Sequence, residues 1–318
     1  MSSISLVSRR ALLKACGALA GSGLGLEARA QPDPPPAGAA PYRPADDTLE
    51  LLVVSDGHLV VPTRMLATNV LDGQLTAFLT GRGLGADRVH FHINVAVLRT
   101  GNEYVLIDAG AGGTWEPTAG RLADNLEAAG IALDAIGKVV ITHAHPDHIW
   151  GLIDELDNSL RFPRAHYLVS AREFEFWTLG EAARLTGPVE GIAAGARRVF
   201  KAIEARLSRF RPGEEIAPGL IAIDTAGHTP GHVSLLLTRG PRQLLLTADA
   251  LLNNHVAIAH PDWQPAADMD AARAVQSRRR LLDMAATDRL QVLAYHMPFP
   301  GLGRIERAGA GYTWLADA

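Results

Sequence analysis

Between His143 and His148, the stretch THAHPDHIWG (142–151) sets three of the chain's twelve histidines and an aspartate side by side. Just before it, KVVI (138–141) is a short, continuous apolar run of the kind a strand buried on both faces presents. His143 and His145 lie two apart on backbone leaving that strand, so both imidazoles can point to one side. Pro146 can neither continue a strand ladder nor settle inside a helix, and it turns Asp147 and His148 toward a second point. Imidazole and carboxylate together are the donor set of zinc and other first-row metals. A chain built on this motif is expected to be an α/β protein whose ligands gather at the carboxyl ends of its strands.

Three further segments place ligand-type residues after apolar runs in the same way. GHTPGH carries His228 and His232 behind LIAIDTA, LLTADALL carries Asp249, and LAYHMPFPG carries His296. Taken singly, a histidine at a strand end is more often a hydrogen-bonded structural residue, and an aspartate a cap or turn former. Their joint recurrence beside the first cluster makes them candidate ligands. Asp249 has a property the histidines lack, since the two oxygens of a carboxylate can bridge two cations and a neutral imidazole cannot.

Composition limits what such a site serves. With 318 residues, 47% of them hydrophobic, and 30 basic against 34 acidic side chains, the chain has ample core and no basic field for nucleic acid. The expected partner is a small molecule, with no nucleic acid and no membrane in the mature form. The segment SRRALLKACGALAGSGLGLEARAQ pairs Arg9 with Arg10, runs through a weakly apolar stretch too short to span a bilayer, and reaches a small-x-small pattern at Ala28-Arg29-Ala30. Residues 1–30 are therefore read as an export signal resembling the twin-arginine type, with a Sec signal as the alternative, and either route leads to a periplasmic or secreted protein. A Pro-rich linker covers 31–48, and 49–318 forms one domain. Cys16, the single cysteine, lies in the signal, which leaves the mature chain without disulfide or thiolate ligand. There is no Gly-x-Ser-x-Gly elbow either, so covalent catalysis has little support.

The coarse element pattern is strand-rich and used twice. LELLVVSDG (49–57) reads as a strand ending at a turn, and INVAVLRTGNEYVLIDAG (93–110) as two strands joined by a hairpin. EPTAGRLADNLEAAG places Leu122, Leu126 and Ala129 on one helical face and stops at Gly130. SAREFEFW opens with Ser170 and Glu173 at capping-box spacing, and IAAGARRVFKAIEARL has helical spacing at Val199, Ile203 and Leu207. Strands return with GLIAIDTAGH, VSLLLTRG and QLLLTAD; the helix MDAARAVQSRRRLLDMA and the strand LQVLAYH follow. Phe174, Phe176, Trp177, Trp263 and Phe299, together with His260, are candidates for lining an apolar substrate pocket, though aromatics at such spacing serve cores equally well.

The order His143-x-His145-x-Asp147-His148, then His228, Asp249 and His296, resembles the metallo-β-lactamase fold superfamily over nearly the whole mature chain. The resemblance implies an α/β, four-layer αβ/βα sandwich with a dinuclear metal site at one sheet edge. It assigns His143, His145 and His228 to one metal, Asp147, His148 and His296 to the other, and Asp249 as the bridge. Asp147 and Asp249 are the catalytic candidates, Asp147 as ligand first and proton relay second. Asp108, in LIDAGAGG, and His232 are placed behind the ligands. The implied cofactor is two divalent metal ions, zinc foremost, with manganese, cobalt or iron compatible with the same donors.

Longer stretches, DAGAGGTWEPTAGRLADNLEAAGI, RRRLLDMAATDRL and HMPFPGLGRIERAGAGYTW, are similar to the methyl parathion hydrolase-like branch, for which a homodimer is implied. His255, His260 and Trp263 depart from the less polar lining expected there, so substrate choice does not transfer. The implied function is hydrolysis of a lactone, aryl ester or phosphotriester by a metal-bridging hydroxide. The alternative is a periplasmic metallo-β-lactamase acting on β-lactam antibiotics. An iron oxidoreductase is disfavoured by His145 where the diiron flavoproteins usually have Glu, and a non-enzymatic binding module by the complete ligand set.

Overall fold

The computed structural model describes residues 40–44, 47–101 and 103–317, so the segment read as an export signal and most of the expected linker lie outside the described residues. Tyr42, within the linker, forms an antiparallel bridge with Val53. The first sheet begins with β1 (Leu51–Pro62) and β2 (Arg88–Thr100), joined through α1 (Asp72–Thr80). It continues in the order of the chain through β3 (Glu103–Ile107), β4 (Ile136–Ile141), β5 (His166–Ser170) and β6 (Leu207–Phe210). The pairs β1–β2 and β2–β3 are antiparallel, and those from β3 to β6 are parallel. Parallel neighbours need crossovers, which here carry α2 (Leu122–Ala128), α3 (Pro146–Ile149), α4 (Ala171–Thr178) and α5 (Pro188–Ile203).

The second sheet holds β7 (Glu215–Ala217), β8 (Leu220–Asp224), β9 (Val233–Arg239), β10 (Arg242–Leu246), β11 (Gln291–Leu293), β12 (Leu302–Ala308) and β13 (Gly311–Ala316), again in sequence order across the sheet. Only β10 and β11 run parallel, and their crossover carries α6 (Val256–Ala259) and α7 (Ala271–Thr287).

Strand periodicity sorts the core into layers. Leu52, Val54, Val95 and Val97 face Leu126, Trp177, Val199 and Phe200 of the outer helices, whereas their neighbours Leu51, Val53, Ala96 and Leu98 face Leu235, Leu237 and Leu244 of the other sheet. Beyond that sheet, Leu245, Val292 and Ile305 pack on Leu281, Leu282 and Ala285 of α7. The result is helices, sheet, sheet, helix, the αβ/βα sandwich expected from the sequence. A smaller cluster joins Leu75 and Leu79 of α1 to Phe91, Val256 and Trp263.

Two local expectations are corrected. The first strand does not stop at Ser55-Asp56-Gly57 but passes through a bulge there and continues to Pro62. Gly57 is required at the bulge, because its φ is 114° and a Cβ would lie 2.1 Å from the Thr118 carbonyl oxygen. Leu207, read as helical, begins β6 instead: it pairs with Tyr167 of β5, and that edge pairing overrides its helical spacing.

The bulge turns Asp56 inward, where its carboxylate accepts the N–H groups of Ala111 (2.8 Å), Gly120 (3.1 Å) and Leu122 (2.7 Å). Burial pushes this carboxyl up to about 6, against the three donors that hold it down. Asp56 thereby pins the loop that starts at Asp108, close to the strand ends that matter below. In Asp56→Asn, one end of the amide must present N–H to N–H whichever way it faces. The expected result is a loss of about 2–3 kcal/mol in unfolding free energy, read by urea denaturation; unchanged stability would contradict this role.

Candidate metal centre

Chain leaving β4 reaches His143 and His145 while still extended; His145 is the N-cap of α3 with φ −72° and ψ 157°, and Pro146 opens the helix. One helical turn then carries Asp147 and His148. The second sheet contributes His228 from the loop after β8, Asp249 from a short 3-10 turn after β10, and His296 from the loop after β11. All seven come from strand ends on the same edge of the sandwich, and two sheets are needed to bring them together.

Their donor atoms converge. His145 Nδ1 lies 3.1 Å from His143 Nε2 and 2.9 Å from His228 Nε2, and Asp249 Oδ2 lies 3.7 Å and 3.2 Å from those two Nε2 atoms. On the other side, His296 Nε2 is 3.3 Å from Asp147 Oδ2 and 3.3 Å from Asp249 Oδ2, while His148 Nε2 is 3.1 Å from Asp249 Oδ1. Two groups result, His143–His145–His228–Asp249 and Asp147–His148–His296, each with donor atoms within 4.8 Å of one another. Asp249 approaches both groups. Six of the seven are buried and His145 is half-buried, so solvent meets the cluster at His145.

The donor chemistry fits a pair of cations. His148 Nε2 and Asp249 Oδ1 are buried without a hydrogen-bond partner although they face each other, an arrangement that a shared positive ion satisfies. The opposite nitrogens are tied down. His148 Nδ1 donates to Asp108 Oδ2 (2.8 Å), His228 Nδ1 to Asp268 Oδ1 (3.1 Å), and His296 Nδ1 to the His92 carbonyl (2.8 Å). His143 Nδ1 meets the Thr142 hydroxyl (3.2 Å), which itself donates to Asp108 Oδ2 (2.7 Å). Each of these contacts turns Nε2 into the cluster, where it can ligate once it carries no proton. Asp268 is backed in turn by Arg278, 1% exposed, whose Nη2 donates to its second oxygen at 2.8 Å and whose other nitrogens hold the carbonyls of Ala250, Pro261 and Trp263.

Electrostatics point the same way. Burial opposes a proton on His228 and His296, yet Asp249 raises His228 to about 9, and Asp249 with Asp147 raises His296 to about 10. Burial also opposes charge on Asp249, but the surrounding histidines hold its carboxyl well below the usual range. Burial opposes a proton on His148 too, yet Asp249, with Asp108 and Asp147, holds it well above the usual imidazole range, so protons or metal cations are favoured between these carboxylates and imidazoles.

His232 and Asp108 stand behind the seven. His232 Nε2 accepts the Asp249 N–H (3.1 Å) and its Nδ1 meets Thr225 Oγ1 (2.8 Å), so both ring nitrogens are in use and none is left for a metal. Asp108, at a left-handed φ of 62°, takes the Thr142 N–H as well as His148. The aromatic candidates belong to several packing clusters. Phe174 packs on Phe200, Trp177 of α4 is fully buried in the core under the first sheet's helices, His260 stacks on Trp263 beside Phe78, and Phe299 packs between the sheets. Aromatic rings in contact with the centre include Phe91, stacked on His296 at 5.2 Å, Tyr295, stacked on His148 at 4.1 Å, and Trp177, edge-on to His145 at 6.1 Å. Neither Phe91 nor Tyr295 carries a signal in the sequence beyond strand patterning, and Asp268 and Arg278 carry none.

Two outcomes are expected from this arrangement. Asp108→Asn weakens metal binding by about 10–100-fold while leaving the circular dichroism spectrum intact, because it disturbs ring orientation and not the core. Zinc uptake by metal-free protein at pH 7 releases protons, since His228 and His296 hold theirs there and must lose them to ligate; affinity falls as pH is lowered. Calorimetry in buffers of different ionisation enthalpy reads the release, and uptake without it would refute the electrostatic description.

Comparison with known proteins agrees with the geometry. The family model of the metallo-beta-lactamase superfamily matches residues 88–296, a span that includes all seven converging side chains. The structure is similar, with a TM-score of 0.78, to AidC, a dizinc quorum-quenching lactonase in complex with a product, N-hexnoyl-L-homoserine, at 25% identity over 84% of this chain and 94% of that one. It is similar to the same degree, TM-score 0.78, to AbOPH, a hydrolase in the beta lactamase superfamily, at 26% identity over 89% of this chain and 98% of that one. The uncharacterized protein YobT of Bacillus subtilis (strain 168) is 32% identical over 177 residues, 53% of this chain and 66% of that protein, so the match falls just short of two thirds of the relative's length. A family match over these residues, on a two-sheet sandwich that gathers them at one edge, settles the kinship: the chain belongs to the metallo-beta-lactamase superfamily, and its fold carries the residues of a metal-dependent hydrolase.

Proposed function

We propose that the protein hydrolyses the ester bond of a lactone with two divalent cations, zinc foremost. His143, His145 and His228 would hold one, Asp147, His148 and His296 the other, with Asp249 between them. The observation that carries the reading is the placing of Asp249, whose Oδ1 lies 3.1 Å from His148 Nε2 and whose Oδ2 lies 3.2 Å from His228 Nε2. Similarity to a dizinc lactonase along 94% of its length supports the choice of a lactone over the aryl esters and phosphotriesters that the same chemistry cleaves. The pair of arginines and the small-x-small pattern in residues 1–30 support export to the periplasm as part of the same reading.

Paired divalent cations supply Lewis acidity toward a carbonyl oxygen and bring the pKa of water down to about 7. The remaining work falls to the chain's own residues. His145, the half-buried member, marks the side from which substrate arrives. Phe91 and Tyr295, stacked on His296 and His148, keep water from the back of both rings and hold their planes. Tyr295 also donates its hydroxyl to the Asp147 carbonyl at 2.8 Å, which steadies the turn bearing that carboxylate. Asp147, with 7% of its side chain exposed, is placed to take the proton the attacking water loses and pass it to the leaving alkoxide.

The test is a hydrolysis panel on metal-loaded protein comprising residues 31–318: N-acyl homoserine lactones, aryl esters, phosphotriesters and β-lactams. Lactone kcat/KM should exceed that for β-lactams by about 100-fold or more, the margin open to a site fitted to one reacting group. Equal or faster β-lactam turnover would replace this reading with a periplasmic β-lactamase.

A further inference from the structure

Glu173 is fully buried, and its neighbour Arg172 pairs with Glu181 instead. Glu173 occupies the position at which a capping box would send its carboxylate back to the Ser170 N–H, and half of that motif is present, since Ser170 Oγ accepts the Glu173 N–H at 3.2 Å. The carboxylate goes elsewhere. Oε1 accepts the Ala144 N–H at 2.8 Å and the Trp177 indole N–H at 2.6 Å; Oε2 accepts the Thr229 hydroxyl at 2.6 Å and the Gly231 N–H at 3.0 Å. Four donors offset the cost of taking a carboxylate out of water.

The identity of those donors is what matters. Ala144 lies between His143 and His145, on the loop leaving the first sheet. Thr229 and Gly231 follow His228, on the loop joining β8 to β9 in the second. The same helix end holds the second loop again, because Ser170 Oγ donates to the Gly231 carbonyl at 2.6 Å. Gly231 has no room for a side chain there, as a Cβ would lie 2.1 Å from the Glu173 nitrogen. Trp177, oriented by Oε1, lies edge-on to His145 with ring centroids 6.1 Å apart. Only a carboxylate can accept from both loops at once. Glutamine in either amide orientation turns an NH₂ toward the backbone N–H of Ala144 or of Gly231.

We propose that Glu173 is a positioning residue for the three-histidine half of the centre. It sets His143 and His145 against His228 across the two sheets and thereby fixes the metal affinity of that half, touching neither metal nor substrate. The inference rests on the two-metal reading above.

The experiment compares wild type with Glu173→Gln and with Thr229→Val, which removes only one of the four donors. In metal-free protein, amide hydrogen exchange at Ala144 and Gly231 should quicken by about 10-fold or more in Glu173→Gln as those bonds open. In zinc titrations against a chelator, one of two sites should weaken by about 10–100-fold in Glu173→Gln and by less in Thr229→Val, with the other site unchanged. Shifted imidazole N–H signals of the cobalt-loaded protein should identify the weakened site as that of His143 and His228. Unchanged exchange and affinities, or equal weakening of both sites, would overturn the proposal. If Glu173→Gln does not fold, Thr229→Val decides, and wild-type affinity in it counts against the role. Wild type binding no zinc would instead refute the two-metal reading, while exchange at Ala144 and Gly231 would still decide whether Glu173 holds the loops.

Discussion

Two carboxylates and five imidazoles are drawn out of water at one edge of this sandwich, and that crowding is the constraint everything else answers to. Buried ionisable groups are tolerated only when charge and hydrogen bonding are balanced locally. The balance here is incomplete without positive charge. His148 Nε2 and Asp249 Oδ1 face each other with no hydrogen bond, and the carboxylates raise His228 and His296 far above their ordinary range. A site of this kind is suited to cations, because buried carboxylates and imidazoles facing one another favour positive charge between them. No single strand or helix could supply it, since the first group takes two imidazoles from one sheet and a third from the other.

Holding such a cluster needs support from outside it, and much of that support is again buried acid. Asp108 orients His148 and ties down Thr142, Asp268 orients His228 with Arg278 behind it, Asp56 pins the loop that follows Asp108, and Glu173 joins the two loops of the three-histidine half. Arg278 extends the network further, because the guanidinium that backs Asp268 also holds the carbonyls of Ala250, Pro261 and Trp263. The segment from Asp249 to Asp268 is thus fastened to the same scaffold as a candidate ligand. Loops that would otherwise be free to vary are held by charge-assisted hydrogen bonds to rigid helices and strands.

The four layers followed from the family resemblance, but most strands and the first cluster were legible in the sequence for a physical reason: strand periodicity is local, and so is the spacing His143-x-His145-x-Asp147-His148. The supporting acids were not. Asp56 reads as part of a turn because nothing nearby reveals that its partners are Ala111, Gly120 and Leu122. Glu173 reads as half of a capping box because the competing donors, Ala144 and Gly231, come from distant segments. Leu207 was drawn into a helix by its period and into a strand by Tyr167. The aromatic candidates carry no comparable local signal, because an aromatic side chain fits a core as well as a pocket.

On the proposed reading, seven side chains from two sheets form one two-cation cage bridged by Asp249. Anomalous diffraction at the zinc edge, from crystals of protein loaded with zinc, tests it most directly. The account requires two peaks a few ångströms apart, one ringed by His143, His145 and His228, the other by Asp147, His148 and His296, with Asp249 reaching both. Zinc bound elsewhere, or a lone peak that Asp249 does not touch, would contradict it.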